Sequence, residues 1–299
     1  MKPIPNKMLR VGLVQHEGSA DRDICLQQTI NGIKAAAAQG AELILLQELH
    51  AGLYFCQTEN KNIFQLAETI PGPTTNLISE LAKQLQVVIV SSIFEKRAVG
   101  LYHNTAVVFE KDGRIAGKYR KMHIPDEPGY SEKYYFAPGD IGFNPIKTSV
   151  GNLGVLVCWD QWYPEGARAM ALKGADILLY PTAIGWYPRD TAEEKNDLVD
   201  AWVTVQRGHS IANCLPVLSC NRVGFEADPS GASDGMLFWG NSFVTNAHGK
   251  IMTQASREKP ETLIADIDLQ QTERERHVWP YLRDRRVDAY DVLLNMYGE

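Results

Sequence analysis

Short uninterrupted apolar runs, each separated from the next by a stretch with helical spacing, constrain this chain more than any other feature of its sequence. Strand patterns fall at Val11 to Gln15, 43–47, 87–94, 153–158, 176–180 and 216–220, and helical patterns at 21–39, 74–86, 164–173 and 196–213. In the second helical stretch Leu77, Ile78, Leu81 and Leu85 share one face. Two hairpin signals interrupt the alternation, Asp112-Gly113 and His248-Gly249, so the sheets are predicted to be mixed and not purely parallel. No composition shift or low-complexity stretch marks a boundary, which gives an α/β chain with two sheets in one domain over 1–299.

Three of the strand patterns end on chemically capable side chains. Leu43 to Leu46 closes on Gln47 and Glu48; the run from Gly113 through Tyr119 ends at Lys121, ahead of the breaker Pro125; and Gly154 to Val157 stops at Cys158. In α/β sheets the carboxyl edge is where ligands bind, so a carboxylate, an ammonium and a thiol could converge there although far apart in sequence. Around the thiol, Val-Cys-Trp-Asp-Gln-Trp-Tyr-Pro-Glu reads as a strand-to-helix elbow. The expectation is that Cys158 escapes burial at this elbow, and that helix amides and a neighbouring cation favour its thiolate.

On these residues the chain resembles the nitrilase superfamily of carbon–nitrogen hydrolases, whose Glu, Lys and Cys occur in this order. Glu48 in Leu-Leu-Gln-Glu, Lys121 in Tyr-Arg-Lys-Met-His-Ile-Pro and Cys158 in Val-Cys-Trp-Asp fall on the three motifs, and the likeness extends over nearly the whole chain. It implies a four-layer α-β-β-α sandwich of the nitrilase type and subunits that pair through their outer helices. It also implies a thioester-like cycle. Glu48 would serve as general base and acid, Cys158 as nucleophile, and Lys121 with the Trp159 amide as oxyanion donors. Glu132 matches a further acidic position near the lysine and would position substrate; alternatively it is a surface residue beside Lys133. The runs 54–57, 124–130, 158–162 and 180–185 are similar to the branch that hydrolyses N-carbamoylputrescine to putrescine, ammonia and carbon dioxide. A related carbamoyl, amide or nitrile substrate such as β-ureidopropionate, or a non-catalytic interaction role, remains the alternative.

A net charge of −6 over 299 residues argues against a nucleic-acid partner, and no run approaches the roughly 18 apolar residues of a membrane span. Five cysteines in no metal-like or paired spacing argue against a disulfide framework and for a reducing, cytoplasmic setting. The N-terminus carries no signal-peptide core. No metal or cofactor is expected. Cys25, Cys214 and Cys220 read as core residues; Cys56 lies either at the pocket mouth or in the core; His123 has a structural role or touches substrate.

A putrescine tail calls for an apolar channel with an acidic end. Tyr54, Tyr130, Trp159 and Trp186 are candidate walls, and Asp126, Glu127 and Asp160 are candidates for the cation. A carboxylate-bearing substrate would need Arg, for which only Arg120 and Arg189 lie near the motifs. The C-terminal stretch 274–299, rich in Arg and aromatic residues, reads as an arm across a subunit interface or as a basic tail folded on its own subunit.

Overall fold

The computed structural model describes residues 8–298; residues 1–7, on which the expectation about a signal segment falls, and residue 299 lie outside the described residues. Along the chain come β1 (Met8–Gln15), α1 (Arg22–Ala38), β2 (Leu43–Leu46), α2 (Pro73–Leu85), β3 (Val88–Ala98), β4 (Leu101–Phe109) and β5 (Ile115–Arg120). Then follow α3 (Glu132–Tyr135), β6 (Ile146–Thr148), β7 (Gly151–Val155), α4 (Pro164–Leu172), β8 (Ile177–Pro181), β9 (Gly185–Trp186) and α5 (Ala192–Asn213). The last elements are β10 (Val217–Cys220), β11 (Val223–Glu226), β12 (Met236–Trp239), β13 (Phe243–Thr245), β14 (Ile251–Gln254), β15 (Glu261–Asp268) and α6 (Gln271–Val278).

They build two six-stranded mixed sheets, ordered β15-β1-β2-β3-β4-β5 and β14-β13-β10-β8-β7-β6. Alternate residues of each central strand explain why its sequence is apolar without a break. Leu43 and Leu45 of β2 pack with Leu153, Val155, Leu179 and Leu218 of the opposite sheet. Ile44 and Leu46, on the other face, pack with Ile33 and Ala36 of α1 and with Ile78 and Leu81 of α2. Met170 of α4 and Trp202 of α5 cover the second sheet from outside. The layers are therefore α-β-β-α, as the resemblance implied.

Both hairpins form where their turns were read: β4 pairs β5 antiparallel around Gly113 (φ 87°), and β13 pairs β14 around Gly249 (φ 71°). Elsewhere the structure moves boundaries. α5 begins at Ala192, four residues before the sequence reading, because Thr191 accepts from the Glu194 amide while Glu194 caps Thr191 in return. β7 ends at Val155 and not at 158, since the backbone turns out of the sheet before the cysteine. A small third sheet, β11-β12-β9, lies at the carboxyl end of the sandwich and was not anticipated; its strands are two to four residues long, too short for periodicity to reveal. Among the described residues no helix is long and apolar enough to cross a membrane.

After β15 the chain leaves the sandwich. Arg276 holds α6 down by donating to the Asn213 carbonyl at 2.9 and 3.2 Å. Further on, the ion pairs are local, Arg283 with Asp284 and Arg286 with Asp288, and Val287, Leu293, Leu294, Met296 and Tyr297 are exposed.

Candidate active site

The carboxyl ends of β2 and β5 and the β7–α4 connection meet at one place. Lys121, the first residue after β5, donates from Nζ to Glu48 Oε1 at 2.9 Å and to Glu132 Oε2 at 2.7 Å, with all three side chains fully buried. Glu132 arrives on the short turn α3, and Tyr54 donates its hydroxyl to the second Glu132 oxygen at 2.7 Å. Asn104 of β4 donates to Glu48 Oε1 at 2.6 Å. Among the described residues nothing donates to Glu48 Oε2, which is buried. An unpaired buried carboxylate oxygen is costly, so this is the oxygen free to take up a proton. The surface alternative for Glu132 is excluded by its burial.

Burial works against the Lys121 ammonium, but Glu132 and Glu48 outweigh it and hold its pKa well above the ordinary lysine value. Glu132 is pushed up to about 7, by burial first and by the neighbouring Glu48 carboxylate, against the pull of Lys121. With one ammonium between two carboxylates, the group titrates as a unit, and the proton it gains belongs to the cluster and not to one carboxylate.

The elbow is built as its sequence suggests, but the thiol is not as expected. Cys158 opens a 3-10 turn over Cys158–Trp162 with φ at 44°, a left-handed conformation that costs a non-glycine residue of order 1–3 kcal/mol. It is 3% exposed, and burial, followed by Glu48, pushes its pKa well above 9.0. The expectations of exposure and of a resting thiolate are thus both corrected. Helix amides do not compensate here: the Cys158 thiol faces the Ala183 carbonyl at 3.7 Å, and two nearby carboxylates oppose the single lysine.

Asp160 explains how the elbow is held. One of its oxygens accepts from the Val157 amide at 2.9 Å and the Tyr119 hydroxyl at 2.8 Å; the other accepts from the His123 amide at 3.0 Å and pairs with His123 Nδ1 at 2.7 Å. Tyr119 and His123 flank Lys121 in sequence, so this one buried carboxylate ties the Cys158 turn to the lysine segment. Its reading as a cation site is overturned, because all its accepting capacity is used inside the protein. His123 stacks on Tyr163 with ring centroids 3.8 Å apart and is likewise structural.

The proposed walls divide. Tyr54 and Tyr130 pack edge to face at 5.8 Å beside the cluster, and Trp159 is partly exposed on the elbow. Trp186 is instead a core residue, its ring 5.5 Å from that of Trp239 and its Nε1 donating to the Lys195 carbonyl, so the expectation that it forms a wall is corrected. Asp126 and Glu127 are exposed on the loop before Tyr130. Arg120 is taken by Glu95 and Asp140, whereas Arg189 is exposed over the Tyr187 ring. Cys25, Cys56, Cys214 and Cys220 are buried and unpaired; Cys56 belongs to the aromatic core beside Phe94 and Tyr135.

A cavity of about 260 Å³ lies on the far side of Tyr54, between Leu49, Phe55, Ile93 and Phe94. Cys158, Lys121, Glu48 and Glu132 do not line it, and Tyr54 is the side chain it shares with the cluster.

Sequence reasoning missed Asn104. The signal was the polar run His103-Asn104-Thr105 leading into the apolar Ala106 to Phe109 of β4, since buried polar groups must find partners. A thiol, a carboxylate with one free oxygen and a fixed ammonium are together the components of nucleophilic acyl transfer.

The carbon-nitrogen hydrolase family model matches residues 10–277. An N-carbamoylputrescine amidase of Solanum lycopersicum is 41% identical over 98% of this chain and 97% of its own length, and a citrullinase of Francisella tularensis is 41% identical over 97% and 99%. The crystal structure of a carbon-nitrogen hydrolase from Helicobacter pylori G27 superposes with a TM-score of 0.95 at 54% identity, covering 97% of this chain and 100% of that one. The match thus runs from β1 into α6, through every strand that carries the cluster. The chain belongs to the carbon–nitrogen hydrolase family, the nitrilase superfamily, and is a hydrolase of amide carbon–nitrogen bonds.

Proposed function

We propose that this enzyme hydrolyses N-carbamoylputrescine to putrescine, ammonia and carbon dioxide, with Cys158, Glu48 and Lys121 carrying the reaction. The supporting observation is the buried ammonium of Lys121 held between Glu48 and Glu132 close to the buried Cys158, in a chain 41% identical to a curated N-carbamoylputrescine amidase. Because the resting thiol is protonated, activation is a proton transfer. Glu48 takes the Cys158 proton on its free oxygen as the sulfur attacks the ureido carbon. The oxyanion is met by Lys121 and by the Trp159 amide, which at the first turn of a 3-10 segment has no partner within that turn. Glu48 returns the proton to the departing nitrogen, ammonia or amine, then draws one from water as the thioester-like intermediate is hydrolysed. When ammonia leaves first, the released carbamate decomposes to amine and carbon dioxide.

Glu132 fixes Lys121 and is itself fixed by Tyr54. Tyr54, Tyr130 and Trp159 line the substrate, and Asp126 and Glu127 receive the distal ammonium at the mouth. A second reading rests on the citrullinase similarity. Citrulline shares the ureido group and a distal ammonium but adds a carboxylate, for which Arg189 is the exposed guanidinium on the 187–190 loop. The test is ammonia release from N-carbamoylputrescine, citrulline and β-ureidopropionate. N-carbamoylputrescine should lead, and an analogue with its distal amine replaced by methyl should lose roughly twofold to fivefold in kcat/KM, the equivalent of about 0.5–1 kcal/mol for an exposed ion pair. A lead for citrulline would select the second reading; equal kcat/KM for N-carbamoylputrescine and β-ureidopropionate would remove the cationic pocket.

The exposed apolar residues from Val287 to Tyr297 support packing of the arm 274–299 on a second copy of the chain, giving a homodimer or a larger assembly of the single 1–299 domain. Five unpaired thiols support a cytoplasmic setting. Truncation after residue 282 should shift the mass measured by light scattering toward monomer, and an unchanged mass would return the arm to its own subunit.

A further inference from the structure

Arg222 and Glu226 form a buried ion pair that the reaction scheme does not use. They stand at either end of β11, and both are almost fully buried. The Arg222 guanidinium lies over the Phe238 ring, 5.3 Å from its centroid, and every remaining hydrogen bond of the two charged groups is with one segment, the loop that follows β2. Arg222 Nη2 donates to the Glu48 carbonyl and the Leu49 carbonyl, each at 3.0 Å, and Nη1 donates to the Gly52 carbonyl at 3.1 Å as well as to Glu226. Glu226 accepts the Tyr54 amide at 2.6 Å on its other oxygen. The segment so held contains Glu48 and Tyr54, which bracket Lys121 and Glu132 from two sides. It also contains Leu49 at φ 48°, a left-handed conformation that a leucine avoids unless its surroundings impose it.

We propose that the Arg222–Glu226 pair is a positioning device for the reaction: it holds the strained turn at Leu49 and thereby sets the Glu48 carboxylate against Cys158 and Tyr54 against Glu132. This rests on the reading of Glu48 as the general base. A buried ion pair is poor value for stability alone, because apolar residues of equal volume often serve as well or better. Three donations to the carbonyls of Glu48, Leu49 and Gly52 within one loop are something apolar packing cannot supply. A displacement of about 1 Å at a proton-transferring group is enough to cost roughly 100-fold in rate.

Gly18 gives access to the pair from outside the machinery. It is partly exposed and has an ordinary φ, yet a Cβ there would stand 2.1 Å from Glu226 Oε1, 2.5 Å from Glu226 Cδ and 3.0 Å from Arg222 Nη1. The carboxylate cannot swing aside without releasing Tyr54 or Arg222. Alanine at 18 therefore displaces the clamp while touching neither Glu48 nor the substrate.

The experiment compares Gly18→Ala, Arg222→Lys and Glu48→Gln as full-length proteins, using the best substrate of the carbamoyl panel. Thermal midpoint, kcat, KM and the fraction of titratable Cys158 are measured for each. Gly18→Ala should remain folded with Cys158 titrating stoichiometrically, lose about 10-fold to 100-fold in kcat and keep KM within about threefold. Arg222→Lys keeps the charge but cannot reach three carbonyls at once, and should fall in the same way. Wild-type kcat in folded Gly18→Ala and Arg222→Lys beside an inactive Glu48→Gln would overturn the clamp alone. A loss of kcat only in proportion to lost folded protein would overturn it too. Full turnover in Glu48→Gln would remove the base reading and the clamp with it.

Discussion

Arg120 and Lys121 are adjacent in sequence and both are buried among carboxylates, yet the two clusters they anchor are built on opposite principles. Around Arg120, Glu95 accepts from Arg120 Nε and Nη2, each at 2.8 Å, from the Thr105 hydroxyl at 2.6 Å and from Lys118 at 3.0 Å, and Asp140 accepts from Arg120 Nη1 at 2.8 Å. Although burial raises the Glu95 pKa, Arg120, Thr105 and Lys118 bring it down to about 2. Around Lys121 the cations are too few: two carboxylates share one ammonium, Glu132 is driven up to about 7, and one Glu48 oxygen is left free. A saturated network stabilises and does nothing else. An under-compensated one retains a group ready to take a proton, which is the property acid–base chemistry needs.

Substitutions that empty the second cluster should abolish chemistry while sparing the fold. Cys158→Ser is nearly isosteric but gives a far weaker nucleophile, so turnover should fall by at least about 10,000-fold with the thermal midpoint almost unchanged. Alkylation with mass mapping should find Cys158 as the thiol whose modification tracks inactivation. Inactivation through Cys56 would break the comparison at its root. Lys121→Met keeps the stem and removes the charge, and should cost about 100-fold or more in kcat through lost oxyanion stabilisation. Near-normal kcat in that variant would show the ammonium to be structural, like Arg120.

The first cluster should respond in the reverse way. Glu95→Gln leaves buried Arg120 with Asp140 as its one carboxylate and should cost about 2 kcal/mol in denaturant unfolding, a figure reduced for the partial exposure of Lys118 and Asp140, with kcat per folded molecule retained. Lost turnover in a folded Glu95→Gln protein would mean that the two clusters are one. The pH dependence sharpens the same contrast. The folded-state pKa of Glu95 lies below its ordinary 4.5, so its contribution is present above about pH 4.5 and is lost as pH falls toward 2. The wild type should shed more stability than Glu95→Gln across that window, and parallel curves would contradict the assignment.

Much of this was readable in the sequence because strand ends are. An apolar run that stops at Glu48, at Lys121 or at Cys158 locates those residues on the carboxyl edge without knowledge of the strand order. What could not be read depends on partners brought in from far along the chain. Arg222 lies 174 residues from Glu48, and nothing in Asn-Arg-Val-Gly announces three carbonyl acceptors. Asp160 read as a free anion because its clasp on Val157, Tyr119 and His123 exists only once β5 and the elbow are neighbours. Trp186 read as a pocket wall because its burial against Trp239 depends on a two-residue strand. The burial of Cys158, and with it the protonated thiol, follows from the second sheet and from Ala183, not from the elbow motif.

The central claim is that Cys158 carries the substrate covalently within the Glu48–Lys121 cluster. Rapid-quench mass spectrometry during turnover of N-carbamoylputrescine tests it most directly, because a thiol ester survives acid quenching long enough to be mapped. The expected result is an adduct confined to the Cys158 peptide, with the mass of a carbamoyl group if the amine leaves first or of its putrescine derivative if ammonia does, and absent from Cys158→Ser. Turnover at full rate with no adduct on that peptide, or an adduct on another cysteine, would contradict the account.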